Sequence, residues 1–214
     1  CFPREPVHEE KITFRDLSEY ENVDFQGFRG DIYVKEAIIP EGASVIPKSQ
    51  FFECRSLEKV YLPESVSGIE DYAFADCHVL KVWESIEKLS LKSVGISAFE
   101  NCYALEFVSL PDSLTVIGGA AFAECVSVNK LIFSDTSLLK KIGDHAFRGC
   151  RNLKEVYLPD SVEYVGVSAF RDCSSLEQIS VSEKIKNQPG IAELEKNCPN
   201  ARIRFREVNS VEKE

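Results

Sequence analysis

Apolar residues return along this chain in one fixed order at intervals in the low twenties. The string "CRSLEKVYLPESV" begins at Cys54 and "CRNLKEVYLPDSV" begins at Cys150. Between and beyond them, cysteines stand at 54, 77, 102, 125, 150, 173 and 198, in steps that alternate between 23 and 25 residues. Three residues before each of the first six is Phe51, Phe74, Phe99, Phe122, Phe147 or Phe170, and Ala precedes five of those rings. Three residues after each Cys comes Leu57, Leu80, Leu105, Val128, Leu153 or Leu176, and three further on Val60, Trp83, Val108, Leu131, Val156 or Ile179. A column of Ile or Val lies eight residues before each of the first six, followed by Gly95, Gly118, Gly143 and Gly166 in four coils. A period of this length marks a solenoid, in which each turn of chain is a unit that cannot bury its apolar side alone.

Each column predicts an element. In "L-x-x-V-x-L", apolar and variable residues alternate with period two, which predicts a short strand with one face inward and, after stacking, a parallel sheet along one side. The apolar offsets of "I-G-x-x-A-F-x-x-C" predict a short helix or helical turn on the opposite side, with Phe as core filler and Gly supplying a positive φ at the bend before it. Pro40, Pro63, Pro111 and Pro159 follow strands of the 23-residue coils, where a residue without an N–H ends the ladder. The 25-residue coils replace that corner with longer connections such as "FSDTSLLKK", so alternate coils are expected to bulge on one edge. The fold class that follows is α/β: a solenoid with a parallel β-sheet on one side and short helices or helical turns on the other.

Open stacks need covered ends. Residues 1–30 are read as an N-terminal cap laid over the first coil by Phe14, Leu17, Tyr20, Val23, Phe25 and Phe28; residues 31–197 as about seven coils; and residues 198–214 as a C-terminal cap strand and tail. Near that end, "PGIAELEKNCPNARIRF" predicts a helix from about Pro189, stopped by Pro199, and a last strand through Ile203 and Phe205.

The combined string "C-x-x-L-x-x-V-x-L-P-x-S-V-x-x-I-G-x-x-A-F-x-x-C" resembles the leucine-rich repeats of the BspA type. The resemblance covers about residues 31–197. It implies a leucine-rich-repeat solenoid and a surface or secreted protein with an adhesion-like role toward host extracellular matrix or other microbial surface proteins. The sequence departs from the pattern at Asp31 in the first Cys column, in the broken strand "KVWESIEKLSL" after Cys77, and in the missing Phe before Cys198.

Charge narrows the partners. Thirty-five acidic against twenty-five basic residues give a net charge of −10, and no window gathers the Lys/Arg block that phosphate backbones attract, so nucleic acid is not expected. No apolar stretch is long enough to span a bilayer. Cys1 has two readings: the lipidated end of a bacterial lipoprotein, or an arbitrary boundary. The other cysteines share one core column, so they are expected to be free, buried thiols; no "C-x-x-C" cluster suggests zinc, and neither metal nor cofactor is expected. The three histidines, His8, His78 and His145, lie apart in the pattern, and every thiol has a packing role, so no enzyme is expected.

With the Leu and Val columns inward, the residues five and seven places after each Cys face the concave side. There Tyr61, Phe107, Ile132 and Tyr157 fall on one sheet face among Lys59, Lys130 and Glu155. Aromatic anchors ringed by charges suit the centre of an interface, and these seven residues are the candidate contacts for a protein partner. β-propensity alone also accounts for Tyr, Phe and Ile on an exposed sheet. A structural spacer within a larger surface protein is the alternative role.

Overall fold

The computed structural model describes residues 11–13, 28–84 and 90–207. It is a parallel β-solenoid with two strands in each regular coil. The longer strands are β1 (Lys11–Thr13), β2 (Glu36–Ile38), β4 (Lys59–Tyr61), β6 (Val82–Glu84), β8 (Phe107–Ser109), β10 (Lys130–Ile132), β12 (Glu155–Tyr157), β14 (Gln178–Ser182) and β15 (Arg202–Arg206). They form the wide face that the period-two alternation predicts. Strands of two residues alternate with them: β3 (Val45–Ile46), β5 (Gly68–Ile69), β7 (Ser93–Val94), β9 (Val116–Ile117), β11 (Lys141–Ile142) and β13 (Tyr164–Val165). These pair into a second, six-stranded parallel sheet. Pro63, Pro111 and Pro159 each accept a bond from the backbone N–H three residues on, closing the tight turn that links the two strands of a 23-residue coil.

Of the two forms expected for "I-G-x-x-A-F-x-x-C", a short helix or a helical turn, the helix is not there; this segment is a pair of turns. Two residues per coil take left-handed backbone, five places and one place before Cys: Tyr72 (φ 58°) and Asp76 (φ 61°) in one coil, Ala120 (φ 52°) and Glu124 (φ 56°) in another. Each left-handed non-glycine residue costs about 1–2 kcal/mol, and the compensation is visible. With those angles every second N–H points along the solenoid axis. In the coil before Cys125, Ala120 donates to the Asp144 carbonyl (2.8 Å), Phe122 to Ala146 (2.8 Å) and Glu124 to Arg148 (2.6 Å), and the neighbouring coils repeat the set. The turns thus make a third backbone ladder between coils, which an α-helix, bonded within itself, could not supply.

The glycine column also has a different cause from the one expected. Gly95, Gly118, Gly143 and Gly166 do not have positive φ. They are required by close approach: a Cβ on Gly118 would lie 2.6 Å from the backbone carbon of Gly95, and one on Gly143 would lie 2.5 Å from the Gly119 nitrogen.

Inside, the Phe column stacks from Phe28 through Phe51, Phe74, Phe99, Phe122 and Phe147 to Phe170, with ring centroids 5.1–5.7 Å apart. Phe28 therefore begins the ladder one coil before the first Cys. The seven described cysteines are buried and unpaired. Each is more than a small filler: its thiol donates to the carbonyl of the Phe one coil back, as in Cys77 Sγ to Phe51 O (3.1 Å) and Cys125 Sγ to Phe99 O (3.1 Å). A weak donor that also packs as an apolar group suits a buried carbonyl with a second lone pair to satisfy.

The wide face is divided. β1, β2, β4 and β6 form one sheet; β8, β10, β12, β14 and β15 form another. The division falls in the 25-residue coil whose "KVWESIEKLSL" breaks the pattern. A milder version follows the next 25-residue coil, where β10 and β12 keep only the Lys130–Glu155 partnership, against three partnered positions between β8 and β10. In that coil the connection after the strand exposes Ser134, Asp135 and Thr136 and returns at buried Ser137, and Ser134 and Thr136 donate hydroxyl bonds to Asp112.

At the N-terminal end β1 adds a strand beside β2, with Lys11 opposite Glu36. The remaining aromatic residues assigned to the cap, together with Cys1, His8 and the tail from 208, lie outside the described residues, as do the side chains of Val82, Trp83 and Glu84. At the other end the predicted helix is two short ones, α1 (Pro189–Ala192) and α2 (Leu194–Asn197), before β15.

Candidate partner-binding face

The alternation that buries Val60, Val108, Leu131, Val156 and Ile179 turns the flanking residues of each strand outward. Parallel register then fixes who stands beside whom. Phe107 aligns with Lys130, Lys130 with Glu155, Glu155 with Gln178 and Gln178 with Arg202. In the second row Ser109 aligns with Ile132, Tyr157 with Ser180 and Ser180 with Arg204. Phe107, Ile132 and Tyr157 are 42%, 38% and 49% exposed.

Five of the seven candidate residues, Phe107, Lys130, Ile132, Glu155 and Tyr157, therefore share one sheet. Lys59 and Tyr61 do not join them. They stand on β4 in the four-stranded sheet, across the division, and both are half-buried. The Lys11 ammonium sits 5.8 Å from the Tyr61 ring centre and 3.2 Å from Glu36. The candidate face is thus a cluster of five with a separate pair.

Pattern reading missed a member. Arg206, on β15, lays its guanidinium 3.8 Å from the centre of the Tyr157 ring and donates to the Tyr157 hydroxyl and the Leu158 carbonyl. It also pairs with Asp160 at 3.1 Å. The planar cation covers one face of the tyrosine and holds its ring while leaving it half exposed. The only available signal was the alternation "RIRFR" in the last strand, which turns Arg202, Arg204 and Arg206 to the same side as Tyr157.

Nothing among the described residues assembles a reaction centre. His78 stacks on Tyr103 at 4.6 Å and lies 3.6 Å from Asp76. The His145 Nδ1 is buried without a hydrogen-bond partner among the described residues, so no hydroxyl is aligned to it. Burial pushes the Cys54 thiol up to about 12 and raises the other six described thiols as well, so none is a ready nucleophile. No group of three or more His, Cys, Asp or Glu among the described residues is placed to hold a metal ion. Two surface clefts, of about 290 and 380 Å³, are lined by residues of the last coils and contain no histidine or cysteine.

Comparison with known proteins adds a family and a fold. The family model described as the BspA type leucine rich repeat region matches in six copies, over residues 21–138 and 92–197. Among solved structures, the leucine-rich repeat protein TpLRR of T. pallidum is 26% identical with a TM-score of 0.62, over 80% of this chain and 87% of that one. The pneumococcal vaccine antigen PcpA is 28% identical with a TM-score of 0.53; the match covers 71% of this chain but only 37% of PcpA. A leucine-rich cell surface protein of Faecalibacterium prausnitzii is 23% identical with a TM-score of 0.50, over 86% of this chain and 62% of that one, a likeness of fold. A search of curated protein sequences returns no match.

Proposed function

We propose that this chain, which belongs to the BspA type leucine-rich repeat family, is a non-enzymatic module, displayed on a cell surface or secreted, that binds a protein partner through the outward face of its five-stranded sheet. The observation that carries the reading is the exposed trio Phe107, Ile132 and Tyr157, interleaved with Lys130 and Glu155 and steadied at one end by Arg206. Pre-ordered rings cost little entropy on binding, and charges in register between them reject partners of the wrong pattern. That one solved relative is a vaccine antigen and another is described as a cell surface protein supports the location. The partner class that fits is a matrix or microbial surface protein offering an apolar patch edged by both signs of charge.

Binding of the chain to immobilised host matrix proteins, compared with binding of the Phe107→Ala, Ile132→Ala, Tyr157→Ala triple variant, tests this. A loss of tenfold or more with unchanged thermal unfolding supports the face. Equal binding by the variant removes it. The second reading, a rigid spacer, is favoured by the uninterrupted six-stranded sheet, which ties six successive coils together whatever the wide face does. A spacer binds no matrix protein, and the triple variant then changes nothing.

A further inference from the structure

We propose that the open edge of β15 is a second docking site, which takes an extended acidic peptide as an added parallel strand. β15 is the last strand of its sheet and, among the described residues, pairs only with β14. The Arg202 N–H donates inward to the Glu177 carbonyl (2.8 Å). Residues along a parallel strand bond to opposite neighbours by turns, so the N–H and C=O groups of Ile203 and Phe205 point outward, where a further strand would meet them.

The side chains say what that strand must carry. Ile203 is half-buried and Phe205 is 44% exposed; these two continue the inward row of Ile179 and Val181, so the next strand must place apolar residues over them. The opposite row is Arg202, Arg204 and Arg206, with no acidic residue in the strand, in a chain whose net charge is −10. Arg206 is committed to Tyr157 and Asp160. Neither Arg202 nor Arg204 forms an ion pair with any described residue. A ligand strand that alternates carboxylate and apolar side chains answers both rows at once. A second copy stacked head to tail does not: its β1, which among the described residues pairs only with β2, would place Lys11 against Arg202 in the register the other strands keep. The arginine row borders the outward face, but the backbone edge of β15 does not depend on Phe107, Ile132 or Tyr157, so the triple alanine variant tests the face and variants at 202–204 test the edge.

The probe is a labelled ten-residue peptide alternating Glu with Val, set against a Lys–Val peptide of the same length and a Glu–Val peptide of shuffled order, by fluorescence anisotropy on the full chain. The alternating acidic peptide is expected to bind, and the other two at least tenfold more weakly. The Arg202→Glu, Arg204→Glu variant is expected to reverse the preference toward the Lys–Val peptide. Ile203→Pro removes an outward N–H, a change an edge strand tolerates, and also trims a side chain packed against the core, so it is set against Ile203→Ala, which trims the side chain and keeps the N–H; the proline variant is expected to bind at least tenfold more weakly than the alanine variant, whereas Ile203→Val binds as the parent does. Equal binding by the shuffled peptide, or by the proline variant, reduces the effect to bulk charge and overturns the proposal. So does a tenfold gain for Glu212→Lys, Glu214→Lys, which would mean that the chain's own last residues occupy the edge, and so does a concentration-dependent dimer in sedimentation that excludes the peptide.

Discussion

The two sides of the solenoid treat the same irregularity differently. On the wide face, two of the longer coils interrupt the sheet, which splits between β6 and β8 and thins between β10 and β12. On the other side, the six two-residue strands, the glycine column and the left-handed turns run through both places without a gap. Continuity therefore comes from the side with short strands and exacting backbone geometry. The side with the longer strands is free to vary, and it is the side that displays Phe107, Ile132 and Tyr157.

Alkaline pH is expected to break the close-packed side most severely, because seven thiols act together. An ordinary thiol ionises near 9.0, while burial holds these higher, Cys54 at about 12. Their contribution is complete below pH 9 and is lost as pH rises toward the folded values, since the unfolded chain releases protons that the folded chain retains. Urea midpoints should fall steeply above pH 9, and a thiol reagent should label the seven ladder thiols of a Cys1→Ser variant slowly at neutral pH; their rapid labelling without unfolding would contradict the buried ladder.

Next in size is Phe122→Ala, which removes one ring from the stack and should cost about 3–5 kcal/mol in chemical denaturation. A paired comparison follows on the glycines. Gly143→Ala forces a Cβ to within 2.5 Å of backbone in the adjoining coil and should cost about 1–3 kcal/mol. Gly119→Ala meets only the Asp144 carbonyl oxygen at 3.4 Å and should fall well short of that. If the two are equal, close approach is not what selects the column. Smallest of all, Phe107→Ala on the wide face should stay within about 0.5 kcal/mol of the parent, and its effect should appear in partner binding alone.

Much of this was legible in the spacing. The coil length, the inward Leu and Val columns, the Phe stack and the outward rows follow from one alignment on cysteine. What misled was local. In "I-G-x-x-A-F-x-x-C" the apolar offsets imitate a helix, yet only every second N–H bonds within the segment, as Ala75 does to Tyr72, while the others bond to the next coil, and residues such as Tyr72 and Ala120 carry no sign that they will turn left-handed. Two-residue strands are too short to alternate, so the second sheet left no trace. At the candidate face, the split that isolates Tyr61 could be located at "KVWESIEKLSL", but its reach across the sheet could not. The hold of Arg206 on Tyr157 joins residues 49 apart through strand order, which no single window contains.

The third ladder, formed by turn N–H groups aligned with the stacking direction, also governs how the molecule bears load. Tension applied between its two ends falls lengthwise on those bonds and on the thiol contacts, one coil at a time, because these backbone and thiol bonds run between adjoining coils, the reach of Arg206 to Tyr157 and Asp160 being a longer one. Such a body yields by peeling from whichever terminus is weaker, as a series of small releases and not a single rupture, and an optical-tweezers trace would register each coil as a separate step.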